Sequence, residues 1–185
     1  DCPNCPLGIL AIENLEKIYG NSIIPVVLRA YGGDPLGTNV NAYNDYLGLA
    51  ALGAPSGSIN RNYACFPMVS NGGDYMFSGA GLFNEAGQEQ KVWLDYVRDE
   101  MAQPADAEIT FSSAYDEASN KANVSFKVRS ALNLTNTPMN IFAVLVEDDV
   151  DPVYQMNGFS SLTDPDLGQW ANGGIYAQQY VFNYR

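Results

Sequence analysis

Residues 2–19 read CPNCPLGILAIENLEKIY, two cysteines three positions apart followed at once by a helical pattern. Apolar residues recur at helical spacing from Leu7 to Tyr19, opposite Glu13 and Glu16, and Gly20 follows as a stop signal. The pattern predicts an amphipathic helix that ends before Gly20. Two thiols at this spacing lie on one turn and can close a small disulfide ring.

The position of the cysteines at a helix start favours redox chemistry. Unpaired N–H groups and the positive end of the helix dipole stabilise a thiolate there. Cys2 is therefore the candidate nucleophile and Cys5 the resolving thiol that releases a mixed disulfide. Pro3 fits the first helical position, where its missing N–H costs nothing. The alternative is a structural disulfide that staples the turn without catalysis.

The amino-acid composition argues against several classes of partner and of catalytic mechanism. The 185 residues include 21 acidic and 9 basic side chains, a net charge of −12, and no histidine. Such a negative surface repels phosphate backbones, so nucleic acid is excluded as a partner. Serine-histidine-aspartate catalysis is excluded, and three cysteines without histidine disfavour zinc. No cofactor is predicted, and the third cysteine, Cys65, is expected to be a buried small hydrophobe.

Helical patterns occupy the first part of the chain and two-residue alternation the second, with a junction near Gln103-Pro104-Ala105. The first part, residues 1–103, contains five further predicted elements. They are a buried strand at Ser22–Ala30, a helix at Asn41–Leu52, strands at Ser58–Tyr63 and Tyr75–Phe77, and a helix at Glu85–Met101.

The second part, residues 104–185, predicts an antiparallel all-β, sandwich-like domain. Ile109–Ser113 and Val124–Arg129 alternate apolar and polar residues, and Glu117–Asn120 between them is typical of a hairpin turn. Asn140–Glu147 and Ile175–Tyr184 predict two more strands. No apolar run approaches the ~20 residues that cross a bilayer.

The order of elements in residues 1–103 is that of an α/β thioredoxin-like domain. In such a domain a cis proline precedes a strand and lies beside the disulfide, and Ala54-Pro55 is assigned as that bond. The alternative is an ordinary trans turn. Backbone beside Pro55 would offer an edge to an extended peptide, so Ala54 and Pro55 are candidate partner-binding residues. Pro55 joins Cys2 and Cys5 as the candidate catalytic site.

With these residues placed, the chain resembles the outer membrane protein 28-related family of Bacteroidetes cell-envelope lipoproteins. The matching stretches are Cys2–Gly20, Ile24–Leu28, Gly53–Arg61, Val146–Asp148 and the tyrosine-rich region Tyr176–Arg185. The likeness is greatest over residues 2–61.

The resemblance implies a thioredoxin-like domain followed by a β-rich domain, held at the outer membrane by a lipid anchor upstream of this chain. It also implies a strand before the cysteine motif, which is missing here because the motif begins at residue 2. We therefore expect a trimmed chain. Where the family often has a histidine at the end of the strand that follows the helix, this chain has Arg29-Ala30-Tyr31, so any role of that histidine does not carry over.

Two further features are candidate sites. Glu147, Asp148, Asp149 and Asp151 are candidate calcium ligands, with Asp164 and Asp166 as a second acidic pair; solvated loop charges are the alternative. Trp170 lies in a glycine-rich stretch and is the candidate exposed aromatic for a glycan or protein partner.

Two functions therefore stay open. The first is thiol–disulfide exchange through Cys2 and Cys5, with protein thiols or disulfides as partners. The second is a non-catalytic surface protein in which the disulfide is a staple and the β domain binds an envelope protein or a glycan.

Overall fold

The computed structural model describes residues 2–28, 45–131, 141, 143, 146, 150–173 and 177–182, with the backbone alone for 150–154 and 177–182. The chain forms two compact units. Unit 1 comprises Asp1–Glu100 and Leu145–Arg185, and unit 2 comprises Met101–Val144. The division into residues 1–103 and 104–185 stays a prediction.

Helix α1 spans Pro6–Tyr19 in unit 1, as the apolar spacing predicts. It ends at Gly20, whose φ of 53° is a conformation that glycine adopts without a steric penalty. A short 3-10 turn, Gly20–Ser22, follows. The helix begins at Pro6 and not at Pro3, because residues 3–5 form a turn before it.

Two short hairpins and a second helix follow among the described residues. Strand β1 (Gly57–Ile59) pairs antiparallel with β2 (Tyr63–Cys65), and β3 (Val69–Asn71) pairs antiparallel with β4 (Asp74–Met76). Helix α2 spans Trp93–Met101. The single strand predicted at Ser58–Tyr63 is wrong, because a turn over residues 60–62 divides it into β1 and β2.

Two other sequence predictions need correction. Helix α2 does not extend back to Glu85, because the Asn84 side chain accepts hydrogen bonds from the Ala86 and Gln88 backbone N–H groups and fixes a turn there. Residues 23–28 belong to no strand, and Ile24 is 78% exposed, so the predicted buried strand is not formed over them. The helix predicted at Asn41–Leu52 lies partly outside the described residues; residues 47–52 are turns and irregular backbone.

The core of unit 1 lies on two sides of α1. Ile9 and Leu10 pack with residues from the C-terminal part of the chain, namely Phe159, Leu167, Trp170 and Ala171. Ala11 and Leu15 pack with Cys65 and with Trp93 and Val97 of α2. Helix α1 is therefore held by apolar packing against residues from both segments of unit 1.

The C-terminal part of unit 1 contains another pair of antiparallel strands. Strand β5 (Val150–Met156) pairs antiparallel with β6 (Ala177–Phe182), and the 3-10 helix Pro165–Trp170 lies between them in the sequence. The strand predicted at Ile175–Tyr184 is present as β6. The one predicted at Asn140–Glu147 lies largely outside the described residues.

Unit 2 contains a long hairpin, with β7 (Ala107–Asp116) and β8 (Lys121–Ser130) paired in register from Ala107 with Ser130 to Asp116 with Lys121. The turn falls on residues 117–120, as predicted. The expectation of a mixed α/β chain with antiparallel pairing is thus confirmed. The thioredoxin-like and sandwich-like arrangements stay predictions.

Candidate redox site

The cysteine motif forms a disulfide-bonded turn directly before α1. Cys2 and Cys5 are joined, with their Cα atoms 5.3 Å apart, and the Cys5 N–H donates to the Cys2 carbonyl at 3.2 Å. Both cysteines are half-buried, and Cys5 is the residue that precedes the first helical position, Pro6. The first turn of α1 contains no acidic residue, so no carboxylate there offsets the positive end of the helix dipole.

Ala54 and Pro55 lie against this turn. The Ala54–Pro55 peptide bond is cis, as assigned from the sequence, and the Cys2 Sγ atom lies 3.9 Å from the Ala54 carbonyl oxygen. Gly8 allows this approach, because a Cβ atom there would come within 3.1 Å of the Pro55 Cβ atom. The structure therefore brings together Cys2, Cys5, Ala54 and Pro55, four of the residues singled out from the sequence.

A shallow cavity of about 230 Å³ lies beside Ala54 and Pro55, which both line it. Apart from Asn4, the residues that line it are apolar or aromatic: Leu7, Ala54, Pro55, Phe66, Pro67, Met68 and Tyr75. Phe66 is 46% exposed, so its ring is available to a ligand in the cavity. An extended chain that brings a sulfur to Cys2 could place a neighbouring apolar side chain here.

Residues near the other end of the chain hold the motif in place. The Gln155 side-chain amide donates to the Cys2 carbonyl at 2.6 Å and also to the Met156 carbonyl at 2.9 Å. The Gly158 N–H donates to the Pro3 carbonyl at 2.9 Å. Sequence reasoning missed these contacts, because nothing local to a glutamine 153 positions away indicates that it reaches Cys2.

The exposure predicted for Trp170 is wrong. Its side chain is 0% exposed and packs in the core with Ile9, Leu10 and Leu167. Asn157 fixes the surrounding backbone, since its side chain donates to the Trp170 carbonyl at 2.8 Å and accepts from the Phe159 N–H at 2.9 Å. A fully buried ring offers no face to a glycan or protein partner.

The acidic candidates for calcium do not form a described site. Glu147, Asp148 and Asp149 lie outside the described residues, as does the side chain of Asp151. Asp164 is buried, and its two oxygens accept from the Tyr75 and Asp166 backbone N–H groups at 2.7 and 2.9 Å. Across the part of the chain that the structure describes, no group of three or more metal-ligating side chains is present.

Cys65 is buried, as expected, and takes no part in the disulfide. Burial, assisted by the negative charge of Asp95, raises the pKa of the Cys65 thiol to about 12. The thiol is therefore protonated at neutral pH, and because a thiolate is the reactive form, Cys65 is a poor nucleophile.

Asp95 is a buried carboxylate near this core that was not singled out from the sequence. Its carboxylate is 0% exposed and accepts from the Ser78 hydroxyl at 2.5 Å, the Gly79 N–H at 2.8 Å and the Val92 N–H at 3.1 Å. The bond from Val92 caps the start of α2. Asp95 thus fastens the loop at Ser78–Gly79 to that helix, which is a structural role.

Comparison with known proteins adds no family or function: no family model, no curated protein and no solved structure matches the chain. The resemblance to the outer membrane protein 28-related family stays a prediction. None of the helices in the described residues is both long and apolar enough to cross a membrane.

Proposed function

We propose that the protein exchanges thiols and disulfides through Cys2 and Cys5, as part of an envelope lipoprotein held at the outer membrane. The observation that carries the proposal is the placement of the disulfide. The Cys2 Sγ atom lies 3.9 Å from the Ala54 carbonyl, and Ala54 and Pro55 line the apolar cavity of about 230 Å³. The proposed location rests on the family resemblance alone.

The reaction is a pair of sulfur-to-sulfur displacements. A substrate thiolate attacks the Cys2 Sγ atom, the bond to Cys5 breaks, and Cys5 leaves as a thiolate while a mixed disulfide forms on Cys2. A second substrate thiolate then attacks the substrate sulfur and displaces Cys2. Two substrate thiols lose two electrons to the pair and become a disulfide, and their two protons pass to the released cysteines or to water.

The same site can act in reverse from its reduced state. The Cys2 thiolate attacks a substrate disulfide and displaces one substrate sulfur as a thiolate. The Cys5 thiolate then attacks the Cys2 Sγ atom and displaces the other substrate sulfur, which forms the Cys2–Cys5 disulfide again. The positive end of the α1 dipole, which no acidic residue in the first turn offsets, supports a lowered thiol pKa in the motif. The apolar cavity favours an extended substrate with an apolar residue beside its cysteine.

The test is the thiol pKa and the reduction potential of the pair in a Cys65→Ser background, which removes the third thiol. We expect a Cys2 pKa below about 7 and a potential above roughly −250 mV. Cys5→Ser should accumulate a mixed disulfide with an oxidised peptide, whereas Cys2→Ser serves as the matched control and should not. A reduction potential below about −300 mV, together with a Cys2 pKa that is not lowered, would show that the disulfide is a structural staple.

A second candidate function is non-catalytic binding through unit 2. In the register of the hairpin, Ile109 faces Val128 and Phe111 faces Phe126. These four side chains lie on one face of the hairpin and are 36–75% exposed, so they form a continuous apolar surface of the kind that marks binding sites. The stripe supports a role in binding an envelope protein.

A photo-crosslinking residue introduced at Phe111, compared with one at Thr110 on the opposite face, tests this second function in intact cells. One defined crosslinked partner from position 111 and none from position 110 would support it. Equal, diffuse crosslinking from both positions would refute it.

A further inference from the structure

The segment Gln155–Gly158 donates hydrogen bonds to two carbonyls of the turn that contains the disulfide, those of Cys2 and Pro3. The Cys2 carbonyl accepts from the Gln155 amide at 2.6 Å as well as from Cys5, and the Pro3 carbonyl accepts from the Gly158 N–H at 2.9 Å. Gln155 is 2% exposed, so water does not compete freely for its bond. We call the Gln155 and Gly158 bonds the clasp.

The close approach of Gly158 shows how tightly the clasp fits. A Cβ atom on Gly158 would lie 3.1 Å from the Pro3 carbonyl oxygen and 3.3 Å from the Pro3 Cβ atom. Beyond the clasp, the same segment is anchored on α1, because Phe159 packs in the core with Ile9 and Leu10. The clasp therefore joins the motif to a part of the chain that is itself packed on α1, the helix that follows Cys5.

We infer that Gln155 is a positioning residue for the Cys2–Cys5 pair and that the redox state of the pair is coupled to the clasp. In the reduced protein, the clasp holds the main chain of Cys2 in place relative to Cys5, which precedes α1. The two thiols then lose less conformational freedom when they join, which raises their effective concentration and favours the disulfide.

The coupling works in both directions. If the clasp favours the disulfide by a given factor, the disulfide must favour the clasp by the same factor. Reduction of Cys2–Cys5 should therefore loosen the attachment of Gln155–Gly158. This inference deepens the proposed function and rests on it for its biological meaning, although the equilibrium itself can be measured without any substrate.

The first test is the thiol–disulfide equilibrium against glutathione in the Cys65→Ser protein. Gln155→Leu keeps the bulk of the side chain but removes its donors. We expect it to lower the equilibrium constant for disulfide formation about fivefold, the factor typical of one net hydrogen bond, which is ~20 mV at ~30 mV per tenfold change.

The matched control is Asn157→Ala, in the same segment. Asn157 bonds the Trp170 and Phe159 backbone, so its loss weakens the segment without removing either bond of the clasp. A purely structural role would lower the free energy of unfolding in both variants and leave the glutathione equilibrium unchanged in both. An equilibrium constant for Gln155→Leu within twofold of the parent, or an equal change in Asn157→Ala, would overturn the inference.

A second measurement needs no variant of the clasp. Hydrogen exchange of the Gly158 amide should be about fivefold faster in the reduced Cys65→Ser protein than in the oxidised one, because its bond to Pro3 is coupled to the disulfide. Equal exchange rates would refute the coupling. If the pair oxidises no peptide substrate while these shifts hold, the proposed function fails and the inference stands; if catalysis occurs without the shifts, the reverse is true.

Discussion

Replacing Trp170 with alanine should lower the free energy of unfolding by about 3–5 kcal/mol, the range found for aromatic residues deleted from protein cores. The ring is 0% exposed and packs with Ile9 and Leu10 of α1. Leu167 beside it is also 0% exposed, so the walls of the cavity left behind have little freedom to collapse. We therefore expect a value in the upper half of that range.

The hydrogen bond from Asn157 is retained in this variant, because it ends on the Trp170 main-chain carbonyl. The change therefore removes the indole ring and leaves this main-chain bond in place. Urea denaturation of the oxidised protein gives the free energy of unfolding by linear extrapolation. Leu167→Ala should lower it by about 2–5 kcal/mol, and the two losses should not add, because the side chains belong to one cluster.

The matched control is Phe83→Ala, since Phe83 is 62% exposed and its loss should change the free energy of unfolding by less than about 0.5 kcal/mol. A loss below about 1 kcal/mol for Trp170→Ala would refute the reasoning, because it is too small for the deletion of a fully buried aromatic ring. That result would instead support the exposed, partner-binding position that the sequence predicted for Trp170.

Three further predictions concern titratable groups in unit 1. Asp95→Asn should lower the free energy of unfolding by about 1–3 kcal/mol for each buried N–H group that is left without an acceptor. Urea denaturation measures this loss, and a loss below about 0.5 kcal/mol would contradict the hydrogen bonds described for Asp95. The pKa of Cys65 is raised from 9.0 to about 12 by burial and by Asp95, so the folded state binds its proton more tightly than the unfolded state. The free energy of unfolding should therefore fall as the pH rises from 9.0 towards 12, and Cys65→Ala should lack this contribution to the fall. If the curves of unfolding free energy against pH run parallel for the two proteins, the prediction is wrong. The pKa of Asp99 is lowered by the hydrogen bond and charge of Lys91, so its contribution is present above the unfolded pKa of about 3.9 and is lost as pH falls through the folded value. Lys91→Ala should raise the pKa of Asp99 toward its ordinary value in an NMR titration, and an unchanged pKa would argue against the pair.

The features that were predictable from the sequence are those whose cause is local. Helix α1 follows from apolar spacing and from Gly20, and the β7–β8 hairpin follows from alternation on both sides of a turn. The disulfide of Cys2 and Cys5 follows from a spacing of three on one turn. In each case neighbouring residues supply the pattern, so no knowledge of distant contacts is needed.

Local pattern was insufficient wherever burial depended on a distant segment. The apolar run after Ser22 predicted a buried strand, yet Ile24 is 78% exposed, because a run of this kind says that a chain can be buried and not what covers it. Trp170 is the opposite case, since a loop-like stretch rich in glycine is buried by α1, about 160 positions earlier in the chain.

The candidate site divides in the same way. Its disulfide and the cis Ala54–Pro55 bond were identified from residue types and their order, because cysteine and proline have distinctive chemistry wherever they lie. The clasp by Gln155 and Gly158 was decided only by the tertiary structure. An amide or a backbone N–H can bond any carbonyl within about 3 Å, so only the folded chain determines that these two reach Cys2 and Pro3.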